Sequence, residues 1–232
     1  MPRVRTIPPV RGIAARPARS ARFIRLVAAC LLSTLAVLAG TAPAAAEDGT
    51  AEQLISAYGC LQCHSVDGTI PVPGVPRLAG QKEKYLARQL NHFKLGVVVY
   101  DGEVVAARRH EVMNDLGKRL STLQLRSIAK FFSSKACKTN AGATPPRPDG
   151  VERCEVCHGG DRANPWRDTP SLNAQDETYL KRTIHDLWRA RKGYDTVTGR
   201  HHRLAEVMFI DADEPNLDAY AEYFAAMPCG RK

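Results

Sequence analysis

The sequence predicts an all-α chain built from two tandem copies of one domain. Three observations carry this: an ordered internal match, apolar residues at helical spacing in both halves, and no alternating strand pattern of useful length. At an offset of 94, Cys60, Cys63 and His64 match Cys154, Cys157 and His158, and Pro76, Leu78 and Gln81 match Pro170, Leu172 and Gln175. Tyr85, Leu86 and Arg88 likewise match Tyr179, Leu180 and Arg182, and Tyr100-Asp101 matches Tyr194-Asp195. One inserted residue moves the offset to 95, where Arg108, Glu111, Val112 and Met113 match Arg203, Glu206, Val207 and Met208. A loss of three then moves it to 92, where Ala129, Phe132 and Cys137 match Ala221, Phe224 and Cys229. Ordered blocks separated by small insertions and losses mark a duplicated domain.

Residues 1–46 form a segment apart. They hold seven arginines and no acid, an uncharged apolar run from Leu26 to Gly40, and Ala44-Ala45-Ala46. That is the order of a secretory signal with a small-residue cleavage site, so the mature chain is expected to start near Glu47, in the periplasm. An uncleaved anchor is the rival, because Leu26–Ala46 reaches the roughly 20 residues of a membrane span. Pro43, Gly40 and the alanines favour cleavage. The formal charge of +9 resides in this segment: subtracting its seven arginines from 33 basic residues leaves 26 against 24 acidic ones, a balance of +2. Nucleic acid is therefore not an expected partner.

The first domain is expected over 47–138 and the second over 151–232. Between them, 139–150 reads "TNAGATPPRPDG", whose prolines, glycines and small residues favour an extended linker. In the first copy, Gln81–Phe93 places Tyr85, Leu86, Gln89 and Phe93 at helical spacing; Asp176–Trp188 repeats the pattern with Tyr179, Leu180, Thr183 and Leu187. A further helix closes each copy, over Ser121–Ser134 and Pro215–Met227, the second opened by a proline whose missing N–H does no harm there.

Cys60-Leu61-Gln62-Cys63-His64 and Cys154-Glu155-Val156-Cys157-His158 have the form that attaches c-type haem. Two thiols three residues apart can each add to one vinyl group of a porphyrin, while the adjacent histidine is turned beneath the iron. Structural zinc would need four soft ligands per site, and the nearest spare cysteine in each copy is over 70 positions away; a thioredoxin-like motif would need a preceding strand. Two covalently attached haem c groups are the expectation, held by Cys60 and Cys63, and by Cys154 and Cys157, with His64 and His158 on the irons.

Thioether sulfur is the sixth ligand that raises the potential of a transfer haem. Of four methionines, Met1 leaves with the signal and Met227 has no counterpart in the first copy. Met113 and Met208 are equivalent and become the expected sixth ligands, the alternative being that each fills a core gap. His110, His201 and His202 lie close before them and could bind iron instead, although a solvated histidine at the haem edge is the simpler reading. His92 and His185 are assigned no role. Pro76 and Pro170 each sit 12 residues past the haem histidine, where a proline carbonyl could accept the Nδ1 proton, or where a turn simply needs a proline. Tyr85 and Tyr179 could reach a haem propionate or act as core aromatics with a wet tip.

With these motifs in place, "PRLAGQKEKYLARQL" after the first haem motif, and Met113 ahead of "LSTLQLRSIAKFF", resemble one half of the two-domain cytochrome c4 family, and the second copy resembles the other half. The resemblance implies two class I cytochrome c folds related by a pseudo-twofold axis, His/Met ligation, haems within electron-exchange range, and service as a periplasmic electron carrier. The second copy departs from the pattern: it reads "PSLNAQ" and lacks the Leu-Ser that opens the last helix, while Val97 follows Gly96 where the family often has arginine. Cys137 and Cys229, at equivalent ends of the closing helices, also depart from it; in an oxidising compartment they could form a bridge stapling the domains, or stay as two thiols.

Electron transfer between periplasmic or membrane-bound donor and acceptor proteins is the leading functional expectation, since two methionine-capped haems leave no substrate site at iron. The first alternative is a two-haem enzyme with one labile axial ligand. The second is the haem subunit of a larger oxidoreductase complex, such as a sulfide-oxidising flavocytochrome. Weak membrane association and a homodimer or partner subunit are compatible with the sequence.

Overall fold

Thr50 opens the first helix, α1 (Ala51–Ala57), with a capping box: its hydroxyl accepts from the Gln53 amide at 3.3 Å, and Gln53 Oε1 accepts from the Thr50 amide at 2.8 Å. The computed structural model describes residues 49–67, 69, 72–100, 103–106, 108–139, 143, 145–159, 169–192, 202, 204–210 and 213–229. The expected signal segment, its cleavage site and His201 lie outside these. Gly59, at φ 65°, ends α1 and turns the chain into the 3-10 turn Cys60–Gln62. Then follow α2 (Glu83–Lys94), α3 (Glu111–Arg119) and α4 (Thr122–Ser134), the last opened by a second capping box between Ser121 and Gln124. The second half contributes α5 (Glu152–His158), α6 (Glu177–Arg189), α7 (Ala205–Met208) and α8 (Glu214–Ala226).

The four helices expected from periodicity are present, with ends displaced by at most two residues. Helix α2 starts later than Gln81 because Lys82 is still extended, at φ −62° and ψ 128°. The lost Leu-Ser of the second copy is replaced by Asp213, whose Oδ1 accepts from the Asn216 amide at 3.0 Å and caps α8 in the role Ser121 plays for α4. One element was not anticipated. Between α2 and α3, β1 (Val97–Tyr100) pairs antiparallel with β2 (Glu103–Ala106), Val97 facing Ala106. The Val-Val-Val-Tyr of β1 has no alternation to read, and the Glu-Val-Val-Ala of β2 is too short to show one. The fold remains helical.

Helix α2 packs across α4, and α6 packs across α8 in the same way. The first core gathers Leu54, Ile55, Leu86, Leu125, Ile128 and Phe132; the second gathers Val151, Leu180, Leu217, Tyr220, Ala221 and Phe224. Phe132 and Phe224, partners in the repeat, are each 1% exposed, and each contributes roughly 2–3 kcal/mol by burial. Val151 stands at the entrance to the second core, next to Gly150, whose φ of 83° and the Tyr220 hydroxyl 2.6 Å from a would-be Cβ require glycine.

Both cores belong to one compact unit, Ala46–Lys232. Polar groups hold the two halves together. The buried Arg77 guanidinium donates from Nε to the Ala174 carbonyl and from Nη2 to the Asn173 carbonyl, each at 2.8 Å, and from Nη1 to the Ala79 carbonyl. Asp176 Oδ1 accepts from the Gly74 amide at 2.7 Å, and Arg182 donates to the Gly74 carbonyl at 2.8 Å. Cys137 and Cys229 form a disulfide, with Cα atoms 6.0 Å apart, which decides between the bridge and the two thiols.

Candidate functional site

The two Cys-x-x-Cys-His motifs sit on different local backbones. In the first, Cys60 lies in the 3-10 turn, Cys63 closes it, and His64 Nδ1 meets the Pro76 carbonyl at 3.0 Å. In the second, all five residues lie in α5, and His158 Nδ1 meets the Pro170 carbonyl at 2.8 Å. The carbonyl can only accept, so each ring carries its proton on Nδ1 and offers the lone pair of Nε2. Burial lowers the His64 pKa and pushes that of His158 down to about 4. Both rings are therefore neutral imidazoles, the form that binds a metal. Burial raises the Cys60 pKa and pushes that of Cys154 up to about 11, so both sulfurs sit in the low-dielectric surroundings that a porphyrin edge would share.

Met113 is the third residue of α3 and half-buried. Met208 is the last residue of α7 and packs against the second core, as does Met227. His110 is exposed and caps α3, its Nδ1 accepting from the Met113 amide at 3.4 Å, while its ring meets the Phe93 edge at 6.5 Å. His202 lies beside the histidine of the second motif: the His158 and His202 ring centroids are 6.0 Å apart. His92 lies on α2 with Arg88 and Arg108 nearby, and His185 Nε2 bonds Asp218 at 2.8 Å. Tyr85 packs against the first core and Tyr179 is buried in the second half; Arg88 and Arg182, three residues on, lie over their rings at 5.8 and 6.0 Å.

The donor set suits covalent haem c and not zinc. Each motif supplies two thiols for vinyl groups and one neutral imidazole with Nε2 available, whereas no group of three or more His, Cys, Asp or Glu side chains able to hold a metal ion occurs among the described residues. Two glutamines without an assigned role in the sequence reading also reach the sites, and one of the histidines weighed there as a rival ligand does too. Gln81 and Gln175 bond to the proline segments behind the histidines, and His202 approaches His158. The only sequence signal for the glutamines was their recurrence at the same place in both copies.

Comparison with known proteins agrees with this geometry. The chain is 28% identical over 223 residues to the "Thiosulfate dehydrogenase electron acceptor" of Thiomonas intermedia (strain K12), an alignment covering 89% of this chain and 94% of that protein. It is 30% identical over 180 residues to "Cytochrome c4" of Stutzerimonas stutzeri, covering 71% and 83% respectively. Reduced recombinant cytochrome c4 from Pseudomonas stutzeri superposes with a TM-score of 0.58 at 24% identity, over 77% of this chain and 99% of that one. No family model matches the chain.

Proposed function

This chain belongs to the cytochrome c4 family, two-haem electron-transfer cytochromes with covalent haem c, and on that premise we propose that it is a periplasmic carrier whose two haems are His/Met-ligated. The observation that supports the reading most directly is the recurrence, in both copies, of a Cys-x-x-Cys-His motif whose histidine is tied through Nδ1 to a proline carbonyl. When bound, haem c supplies an iron that exchanges one electron between ferrous and ferric states. The chain's own residues do the rest. Cys60 and Cys63, and Cys154 and Cys157, fix each porphyrin covalently. His64 and His158 present Nε2 from rings whose orientation the Pro76 and Pro170 carbonyls hold, so little reorganises when charge changes. Met113 and Met208 would supply the thioether ligands and keep exogenous ligands off iron, which suits a carrier rather than a catalyst.

The domains are read as 47–138 and 151–232, joined by 139–150. Donor and acceptor are redox proteins, and similarity to a thiosulfate dehydrogenase electron acceptor over nearly its full length makes such a dehydrogenase the first donor to test. Among the described residues no helix is long and apolar enough to cross a membrane. Near-infrared magnetic circular dichroism of the oxidised protein, quantified per iron, tests the ligation: a methionine–ferric charge-transfer band from both irons is the expected result. One observation favours a second reading for the second copy alone. His202 lies beside His158, so ligand exchange there would give a bis-histidine or open iron and an enzyme-like site. The methionine band would then account for one iron only, and His202→Ala would restore it to two.

A further inference from the structure

We propose that Gln81 and Gln175 are positioning residues that act across the domain interface, each setting the acceptor strength of the carbonyl that holds the other copy's haem histidine. The contacts are reciprocal. Gln81 Oε1 accepts from the Ser171 amide at 2.9 Å, and Gln81 Nε2 donates to the Ser171 carbonyl at 2.8 Å. Gln175 Oε1 accepts from the Arg77 amide at 2.6 Å, and Gln175 Nε2 donates to the Arg77 carbonyl at 3.0 Å. Arg77 and Ser171 occupy the same place in the repeat, as a local twofold relation requires. Both glutamines are buried, at 3% and 4% exposure. Each Oε1 is itself fixed by the next residue of its own copy, accepting from the Lys82 or Asp176 amide at 2.9 Å.

The consequence lies in which peptide is clamped. The Ser171 N–H and the Pro170 C=O belong to one peptide group, and the Pro170 oxygen accepts from His158 Nδ1 at 2.8 Å. The Arg77 N–H and the Pro76 C=O are likewise one group, whose oxygen accepts from His64 Nδ1 at 3.0 Å. A peptide that donates at its nitrogen becomes a stronger acceptor at its oxygen; such cooperativity strengthens a bond by about 10–30%. A stronger Nδ1–H···O bond makes the imidazole a more basic ligand, which favours ferric over ferrous iron. Gln81 of the first copy thereby lowers the potential of the second haem, and Gln175 of the second copy lowers that of the first.

The inference rests on histidine ligation as proposed above. Its test is a redox titration of the two-haem protein followed haem by haem through NMR signals assigned to each domain. Gln81→Met keeps the volume and removes both hydrogen bonds to Ser171, along with the one from the Lys82 amide; the second haem is expected to become easier to reduce by severalfold to tenfold in its one-electron equilibrium, at about 59 mV per tenfold, with the first haem moving less. Gln175→Met should show the mirror result, and stands as an independent test should the other variant not accumulate with both haems. Gln81→Glu retains an acceptor for the Ser171 amide in either protonation state and should not raise the second haem's potential. Equal shifts of both haems, a larger shift of the variant's own haem, or no shift would overturn the proposal. Magnetic circular dichroism of the same samples separates the two claims: loss of the expected ligation signature in the wild type counts against the ligation reading, whereas intact ligation without crossed shifts counts against the glutamines alone.

Discussion

Gly80 and Ala174 show how one residue decides a local outcome. They are repeat partners, and both adopt positive φ, 72° and 54°, with their amides donated to the partner carbonyls of Phe132 and Phe224 at 3.0 and 2.9 Å. Gly80 also sits against Cys137, whose Cβ would lie 2.8 Å from an added Cβ. Gly80→Ala should therefore cost about 2–3 kcal/mol, left-handed strain and overpacking together, and lower the Tm by several degrees in thermal unfolding. Ala174→Gly relieves about 1 kcal/mol of strain but frees the unfolded chain by a similar amount. Its Tm should stay within a few degrees of wild type, so the two repeat partners differ in their sensitivity to exchange. The alanine-for-glycine departure at 174 was visible in "PSLNAQ", but that the alanine keeps the glycine conformation was not, because positive φ in alanine is enforced only by surrounding contacts.

At the scale of elements, caps and periodicity made the helices legible. Ser121 and Asp213 do the same work on α4 and α8 with different chemistry; Ser121→Ala or Asp213→Ala should each cost about 1 kcal/mol, read by chemical denaturation. Helix α2 carries a titrating group as well. Burial first, and then Arg88 and Arg108, push the His92 pKa down to about 4 from its ordinary 6.5. The unfolded chain thus binds this proton more readily than the folded one, so the contribution of neutral His92 is present above pH 6.5 and is lost as pH falls through the window towards 4. The Tm of the wild type should fall more steeply across that window than that of His92→Gln. The pairing of β1 with β2 was not legible, since β1 is uniformly apolar and β2 carries a single charge in four residues, runs too short for a periodic signal.

Over the whole molecule, a disulfide and a polar seam hold two separately cored halves together. Cys137 and Cys229 are 92 residues apart, and closing so long a loop restricts the unfolded chain. Replacing both with serine should cost roughly 2–4 kcal/mol, appear as a lower Tm under non-reducing conditions, and leave each Cys-x-x-Cys-His motif able to carry haem. Arg77 contributes differently. Buried with three carbonyls around its guanidinium, it is pushed down to about 10 yet stays cationic at neutral pH. Arg77→Leu should loosen the seam by leaving those carbonyls unsatisfied, at about 2–4 kcal/mol, with faster hydrogen exchange at residues 171–176 as the measurement.

The sequence by itself determined the duplication, the all-α class, the haem motifs and the candidate ligands, because covalent attachment and helical packing depend on short-range spacing that a linear pattern preserves. Only the tertiary structure decided that the two spare cysteines bond, that Gln81 and Gln175 each reach across to the peptide behind the other copy's histidine, and that His202 comes beside His158. Those contacts join residues 44 to 98 positions apart, and their existence depends on how the two halves and their loops pack, a relation that no local periodicity encodes.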